Sequence, residues 1–286
     1  MQLCLNQITI RRQPPDDLAR DLAAVRAGGW EAIEVWLRHW DGFVERAGLA
    51  AARRLLDDAG LVAAGACGQP GVLFAQGEAR AQVWSEFQRR LEQCQALGAP
   101  NLVVTPGPLT AAGERPSEAD LERAAENLRR AGEVAAPYGV TLGIEFLKGA
   151  PLANNLPTAL MLARMVGHPH VGVLVDTFHL YAGISKLEDL GLLRDAAPAR
   201  ITFVHINDVP AQRPRELWTD KDRVLPGAGA LPLHAILEAI RASGYDGYLS
   251  LELFNDELSA SWATDPAGTS RRAHAVTAGL LGIAQQ

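Results

Sequence analysis

Four titratable side chains stand at or near the ends of apolar runs in the second half of the chain. Glu145 ends VTLGIE, Asp176 ends VGVLVD, His205 lies in ITFVHI and Glu252 lies in YLSLEL. Three carboxylates brought together repel one another, and a bound cation removes that penalty. Three carboxylate oxygens with one imidazole suit a hard or borderline divalent ion. These residue types therefore predict a site for one divalent metal ion, and Mn, Mg, Co and Zn would all suit it.

These side chains can meet only if the elements that carry them are neighbours. Eight short apolar runs alternate with segments of helical spacing, which is typical of parallel strands covered by helices. The runs begin at Leu3, Ala32, Leu61, Asn101, Val140, Val171, Ile201 and Tyr248. Eight such units in 286 residues predict a single-domain α/β protein, a (β/α)8 TIM barrel over residues 1–286. An open doubly wound sheet is the alternative, but the segment after the first run has no Gly-rich turn.

A closed barrel would bring the four side chains to one sector of its mouth, because strands five to eight are neighbours. Enzymes of this architecture place their chemistry at the C-terminal ends of the strands. Two connections that leave this face are longer than the others, residues 206–230 and 253–266. The first contains three prolines and two glycines, which favour a loop over a helix. Long loops in compact domains tend to be functional.

Four further side chains are candidates for substrate contact or for a local structural role. His179, three residues after Asp176, either contacts substrate beside the metal or caps the next helix. Arg223 either offers its guanidinium to substrate oxygens or stays solvated in its loop. Trp36, at the end of the second strand, is expected to form an apolar wall for a sugar ring. Lys148 reaches either substrate or solvent.

Composition and charge exclude several classes of partner. Lys+Arg 27 against Asp+Glu 33 gives a formal net charge of −6, which argues against a nucleic-acid surface and a basic membrane-binding helix. Three cysteines without C-x-x-C spacing argue against a disulfide framework or a thiolate zinc site. No apolar stretch reaches the roughly 18 residues that cross a bilayer, and no secretory signal begins the chain. We therefore expect a cytoplasmic protein with a small-molecule partner.

Seven stretches of the sequence together resemble the xylose isomerase-like superfamily of TIM barrels, the sugar isomerase and epimerase group. They are LCLNQ, GWEAIEVW, APYGVTLGIEF, VGVLVDTFHLYAGIS, VHINDV, TDKDRVLPGAGALPL and LSLELFNDE. The resemblance covers nearly the whole chain. Within the family, the combination is most similar to the inosose (2-keto-myo-inositol) isomerases, although close relatives share the same metal-binding set.

The resemblance implies a divalent-metal-dependent isomerase or epimerase of a keto-sugar or keto-inositol. Glu145, Asp176, His205 and Glu252 match the metal ligands of the family. Glu145 and Glu252 also match the catalytic pair that moves a proton through a metal-stabilised enediolate. Dehydratases of cyclic polyol ketones, acting on inosose or 3-dehydroshikimate, are the first alternative, and a non-catalytic sugar-binding barrel is the second. Endonucleases for abasic DNA also occur in the superfamily, but they need more metal-binding histidines and a basic groove.

The same resemblance implies which residues contact substrate. His179 and Arg223 match positions that touch substrate oxygens. Asn6, Glu34, Trp36 and Arg38 occupy the strand-one and strand-two positions where relatives differ, and are therefore expected to set substrate choice. The expected partner is a small polyol or keto-sugar. Barrels of this family often form homo-oligomers, although no surface stripe in this sequence predicts one.

Overall fold

The computed structural model describes residues 1–10, 17–107, 115–194 and 200–282 and confirms the barrel. Its strands are β1 (Gln2–Asn6), β2 (Ala32–Trp36), β3 (Val62–Pro70), β4 (Asn101–Thr105), β5 (Thr141–Glu145), β6 (Val171–Asp176), β7 (Ile201–Ile206) and β8 (Tyr248–Leu251). Each strand pairs in parallel with the next along the chain, and β1 pairs with β8, so the sheet closes. Closure excludes the doubly wound alternative, because an open sheet keeps two free edges.

Helices cover the outer surface of the sheet. Within the described ranges the α-helices are α1 (Leu18–Ala27), α2 (Leu37–Ala47), α3 (Leu49–Asp58), α4 (Ala79–Leu97), α5 (Glu118–Ala135), α6 (Leu156–Val166), α7 (Thr177–Ala182), α8 (Leu233–Ala242), α9 (Asp256–Thr264) and α10 (Pro266–Leu280). Shorter 3-10 helices lie at Gln7–Thr9, Ala136–Tyr138, Leu187–Leu193, Arg215–Leu217 and Asp220–Asp222. None of the helices in these ranges combines the length and hydrophobicity that crossing a bilayer requires.

Small side chains inside the barrel leave room for one large ring. Cys4 and Ala32 cluster with Phe203, apart from the larger core that the strands form with the helices. A Cβ on Gly65 would lie 3.2 Å from the Phe203 ring, so glycine makes space for the ring. Phe203 precedes His205 by two residues on β7 and therefore lies on the same face of the strand. The barrel interior is thus filled directly below His205, where the two ring centroids are 6.0 Å apart.

Residues 207–232, here named the β7 loop, contain no α-helix, as expected for the segment 206–230. The side chain of Asp208 closes this loop at its base. Its carboxylate accepts hydrogen bonds of 2.9–3.1 Å from the backbone N–H groups of Val209, Gly227, Gly229 and Leu231. An antiparallel bridge between Asp208 and Val224 tightens the same point. A side chain at Gly229 would collide with the Asp208 carboxylate, so only glycine fits there.

Helix α9 occupies most of the segment 253–266, which the sequence identified only as a long connection. Oδ1 of Asn255 accepts the backbone N–H of Leu258 at 2.9 Å and caps the helix. Asp256 and Glu257 follow in the first turn, where acidic side chains favour a helix start. The sequence did not predict this helix because its capping signals are local and it has only nine residues.

An ion network joins α2 to α4. The carboxylate of Asp41 accepts hydrogen bonds from Arg90 at 2.6 and 2.9 Å, from Arg89 at 2.8 Å and from Gln93 at 3.0 Å. Arg90 is itself buried, and Asp41 and Glu86 together compensate its charge. Burial opposes ionisation of Asp41, but the donors outweigh it and lower its pKa from 3.8 to about 2. The carboxylate therefore stabilises the fold wherever it is ionised.

Replacing Asp41 by Asn should lower the free energy of unfolding at pH 7 by about 2 kcal/mol, because a pKa lowered in the folded state is a stability contribution. This contribution is fully present above the ordinary pKa of 3.8 and is lost as the pH falls toward 2. Urea unfolding of wild type and variant at pH 7 and pH 3 measures both effects. Asp57→Asn, which removes a half-exposed pair with Arg53, is the control and should cost less than about 0.5 kcal/mol. Equal losses in the two variants at pH 7 would contradict this assignment.

Candidate active site

The side chains of Glu145, Asp176, His205 and Glu252 lie together at the C-terminal mouth of the barrel. Glu145 and Asp176 end β5 and β6, His205 is the penultimate residue of β7, and Glu252 follows β8. One ligand atom from each lies within 4.8 Å of the others. The strand register explains this, since equivalent positions on neighbouring strands reach the same depth and Asp176 pairs with His205.

The electrostatics of this cluster favour a cation. Nδ1 of His205 lies 3.2 Å from Glu252 Oε2, 3.3 Å from Glu145 Oε1 and 3.8 Å from Asp176 Oδ2. Burial alone would lower the pKa of His205, but the carboxylates of Glu252, Glu34 and Glu145 raise it well above its usual value. A field of this sign stabilises positive charge at the centre, and the donor set suits a divalent ion. The residues present therefore fit one divalent cation.

A cavity of about 890 Å³ opens above this cluster. Glu145 and Glu252 line it, whereas Asp176 and His205 are fully buried beneath it. Much of the remaining wall is apolar. These wall residues include Ile8, Trp36, Val103, Leu147, Phe178 and Phe254. A cavity of this size accommodates a small organic molecule in contact with the two glutamates.

Glu145 and Glu252 lie in opposite electrostatic environments. Burial raises the pKa of Glu145, and the neighbouring carboxylates of Glu252 and Asp176 raise it further. Burial also opposes ionisation of Glu252, but the positive charges of His205 and Arg223 outweigh it and lower the pKa of this group. Two carboxyl groups whose pKa values move apart are suited to opposite roles in proton transfer, one as acid and one as base.

Arg223 is fully buried, and its guanidinium donates hydrogen bonds to three carboxylates. Its Nη1 donates to Asp176 Oδ2 at 2.9 Å and to Glu252 Oε2 at 2.7 Å. Its Nη2 donates to Asp220 Oδ1 at 2.6 Å. Two phenylalanine rings in the cavity wall pack against the guanidinium and fix its plane. Arg223 thus lines the cavity while it positions two of the three cluster carboxylates.

His179 lies within helix α7 and does not cap it, and its ring lines the cavity. Its backbone N–H donates to Asp176 Oδ1 at 2.8 Å, which makes Asp176 the cap of helix α7. Its ring lines the cavity, with Nε2 3.2 Å from Nη2 of Arg223 and Nδ1 accepting the backbone N–H of Lys148. Burial lowers the pKa of His179, so its ring is neutral at pH 7.

The remaining candidates have different surroundings from one another. Trp36 lines the cavity. Asn6 is fully buried, and its Nδ2 donates to Glu34 Oε2 at 2.9 Å and to Glu252 Oε1 at 3.1 Å. The ammonium of Lys148 donates to three backbone carbonyls of the β7 loop at 2.6–3.2 Å. Lys148 therefore ties the segment after β5 to that loop, a role that the sequence did not indicate.

Glu34 supports the cluster from below. Its carboxylate lies 3.0 Å from Nε2 of His205 and accepts hydrogen bonds from Ser250 Oγ at 2.6 Å and from Asn6. His205 therefore has Glu34 on one ring nitrogen and the cluster on the other. A carboxylate on the outer nitrogen of a metal-binding histidine fixes the ring orientation and raises the basicity of the ligand. Glu34 is better placed for this role than for the substrate choice expected of it.

One sequence signal could have indicated Glu34, since it is the only charged residue in the apolar run AIEVW. A charge inside a buried strand needs a partner, although the run does not say which. Asn207 is a second supporting residue that the sequence analysis did not single out. Its Nδ2 donates to Asp176 Oδ2 at 3.1 Å, directly after the end of β7.

Glu34→Gln should weaken binding of a divalent cation about 10- to 100-fold, because it removes the charge that orients and polarises His205. Isothermal titration of Mn²⁺ and Zn²⁺ into wild type and variant measures the effect. Glu31→Gln is the matched control, since Glu31 is three residues away and highly exposed, and it should bind as wild type does. An unchanged affinity in Glu34→Gln, with the fold intact, would leave Glu34 no role in holding the cation.

Comparison with known proteins finds similar sequences among enzymes named as isomerases and dehydratases. The chain is 33% identical over 192 residues to an inosose isomerase from Bacillus velezensis, covering 66% of this chain and 66% of that protein. It is 30% identical over 250 residues to a 3-dehydroshikimate dehydratase from Pseudomonas aeruginosa, covering 85% of this chain and 37% of that protein. The alignments therefore span two thirds or less of the length of these relatives.

The fold itself matches over the full chain. A crystal structure of a protein called IolI with a bound zinc atom superposes with a TM-score of 0.84 at 24% identity, covering 99% of this chain and 98% of that one. The family model described as xylose isomerase-like TIM barrel matches residues 22–277. The chain therefore belongs to the xylose isomerase-like TIM barrel family.

Proposed function

We propose that the protein is a divalent-metal-dependent isomerase or epimerase of a keto-sugar or keto-inositol. One observation carries the proposal: Glu145 and Glu252 line a cavity directly above a buried set of cation-binding side chains. The similarity to an inosose isomerase supports the same class of substrate. The reaction is expected to move one proton between carbon atoms of a polyol that carries a ketone.

In this proposal all four side chains bind the cation, and the two glutamates also transfer a proton. A divalent cation held by Glu145, Asp176, His205 and Glu252 would supply Lewis acidity, which polarises a substrate carbonyl and acidifies the neighbouring C–H bond. Glu252, whose pKa is lowered, stays ionised and accepts the proton. Glu145, whose pKa is raised, holds a proton more readily and donates it to the substrate, and proton exchange with solvent then restores both carboxyl groups. Asp176 and His205 lie beneath the cavity and act only as ligands.

The wall residues are proposed to bind and orient the substrate. His179 and Arg223 would contact its oxygens, since both line the cavity beside Glu252. Trp36 would pack against the face of the ring. Asn6, which is bonded to Glu34 and Glu252, would act on substrate choice through those carboxylates.

Dehydration of a cyclic polyol ketone is the second candidate. The place to which the proton returns decides the product: the neighbouring carbon gives isomerisation, and the opposite face of the same carbon gives epimerisation. If a β-hydroxyl leaves instead, the product is an enone. The similarity to a 3-dehydroshikimate dehydratase over 85% of this chain favours keeping this candidate. Turnover against ketoses, inososes and 3-dehydroshikimate, with absorbance of the enone as one readout, separates the two.

Glu145→Gln and Glu252→Gln should each lower solvent deuterium exchange into substrate by at least about 100-fold, because each removes a proton-transfer group. Exchange is followed by NMR in D₂O, and circular dichroism checks that the fold is kept. Because both residues are also proposed ligands, the metal content of each variant is measured in parallel. Exchange at the wild-type rate in both metal-loaded variants would remove the proton-transfer role from this pair.

Chelation should abolish turnover, and added Mn²⁺, Co²⁺ or Zn²⁺ should restore it, because the Lewis acid is required for C–H acidification. Asp176→Asn, which alters a ligand that does not line the cavity, should need a higher metal concentration for the same rate. The measurement is initial rate against free metal concentration. Polyol binding that survives chelation, without turnover on the whole panel, would support a sugar-binding barrel in place of an enzyme.

A further inference from the structure

Several buried polar atoms around the cavity have no hydrogen-bond partner. Among the described residues they include Oε1 of Gln69, Nε1 of Trp218 and Nε of Arg223. All three residues line the cavity, and each is more than nine-tenths buried. A buried polar atom without a partner costs free energy, and a ligand that supplies the partner removes that cost. A ligand that reached these atoms would have to offer a donor to Gln69 Oε1 and acceptors to the N–H groups of Trp218 and Arg223.

A bulge near the end of β3 places Gln69 in the cavity wall. Ala66 pairs with Leu102 and Gln69 pairs with Val104, so β3 uses three residues where β4 uses two. The irregularity includes Gly68, whose φ of +106° is strained for any residue with a side chain. Bulges of this kind redirect side chains and are frequent beside active sites. The direction of Gln69 is thus built into the backbone.

The free atom of Gln69 is a hydrogen-bond acceptor. Its Nε2 donates to the carbonyl oxygen of Pro70 at 3.1 Å. Turning the amide round would set two oxygens against each other, so this bond fixes the orientation and leaves Oε1 unpaired. An acceptor selects a donor, and a hydroxyl group provides one. A carboxylate, an ether or a phosphate oxygen at the same place would be repelled.

The surroundings of Gln69 suit the edge of a polyol ring. The indole of Trp36 covers Gly68, since a Cβ there would lie 3.2 Å from its Cδ1. The apolar face of the Trp36 indole can pack against the C–H groups of a polyol ring, while the nearby acceptor of Gln69 bonds to a hydroxyl of the same ring. β3 and β7 are opposite one another in the eight-stranded ring, so Gln69 faces the β7 loop across the cavity. That loop brings the two unpartnered N–H donors, of Trp218 and Arg223.

We propose that Gln69 is a specificity-determining residue, whose Oε1 accepts a hydrogen bond from a substrate hydroxyl on the β3 side of the cavity. The inference rests on the proposed function and narrows its substrate class. The ligand is a polyol ring with a hydroxyl donor toward Gln69, a C–H face toward Trp36 and oxygen acceptors toward Trp218 and Arg223. A ketone without hydroxyl groups remote from the reacting carbons would lack the contact with Gln69.

The test replaces Gln69 by Leu, which keeps the volume and removes the acceptor. Gln95→Leu is the matched control, because Gln95 is exposed on α4. The probe is 2-keto-myo-inositol with its monodeoxy analogues, and the protein is loaded with Mn²⁺. Initial rates give kcat and KM, and calorimetry gives the affinity for each probe whether or not it is turned over. Metal content and thermal midpoint are measured for every protein.

Gln69→Leu should lower kcat/KM, or affinity where there is no turnover, about 10- to 100-fold through a higher KM or Kd. For one monodeoxy analogue, wild type and variant should become equal, which identifies the hydroxyl that Gln69 contacts. Metal content should not change, and the thermal midpoint should change little, since removal of the unpaired Oε1 offsets loss of the bond from Nε2 to Pro70 O.

Equal kinetics or affinity of wild type and Gln69→Leu on every bound probe would overturn the role of Gln69 and leave the proposed function standing. A uniform loss across all analogues, with a lower thermal midpoint, would make Gln69 a structural residue and also overturn it. Absence of any binding or turnover of these probes in wild type would overturn the inference together with the proposed function.

Discussion

Buried negative charge at the mouth of the barrel is the constraint on which the rest of the structure depends. Glu34 and the three acidic residues of the cluster are shielded from solvent, where an uncompensated charge is costly. The structure compensates with donors: Arg223 bridges two carboxylates, His205 lies among the others, and Asn6 and Ser250 bond to Glu34. The bonds that make burial tolerable are also the bonds that fix each side chain. The carboxylates still outnumber the positively charged side chains, and this excess of negative charge favours a divalent ion.

The two halves of the barrel mouth differ in composition and therefore in task. β5 to β8 carry the cluster residues, while β1 to β4 contribute a largely apolar cavity wall with Trp36 and Gln69, and Glu34 of β2 lies outside that wall. Below them, the ring of Phe203 fills the barrel interior, so the cavity ends at the cluster. Under the proposed function, proton removal beside a ketone is common to isomerisation, epimerisation and dehydration, and the cluster half would serve all three. The choice of substrate would then depend on the apolar wall and on the β7 loop.

Much of this arrangement follows from the sequence, and the exceptions have physical reasons. Buried parallel strands read as apolar runs, and side chains at their C-terminal ends share one edge, so the barrel and the cluster could both be predicted. The support that Glu34 gives His205 could not, because it joins strands that are 171 residues apart. The unpaired acceptor of Gln69 depends on a bulge and on one hydrogen bond to Pro70, and neither feature produces a periodic pattern in the sequence. Helix α9 was missed because a cap at Asn255 and nine residues give little periodicity.

The clamp at Asp208 bears on how this protein could acquire new activities. Four backbone N–H groups and a bridge to Val224 gather the two ends of the β7 loop around one carboxylate, independently of what lies between them. The base of the loop is therefore held closed by contacts around Asp208. Exchanges at the exposed positions 211–217 can alter the loop beside the cavity while the buried cluster that Trp218 forms with Phe178 and Val209 is left undisturbed. The loop is therefore a segment at which this barrel can diversify without loss of the contacts that close its base.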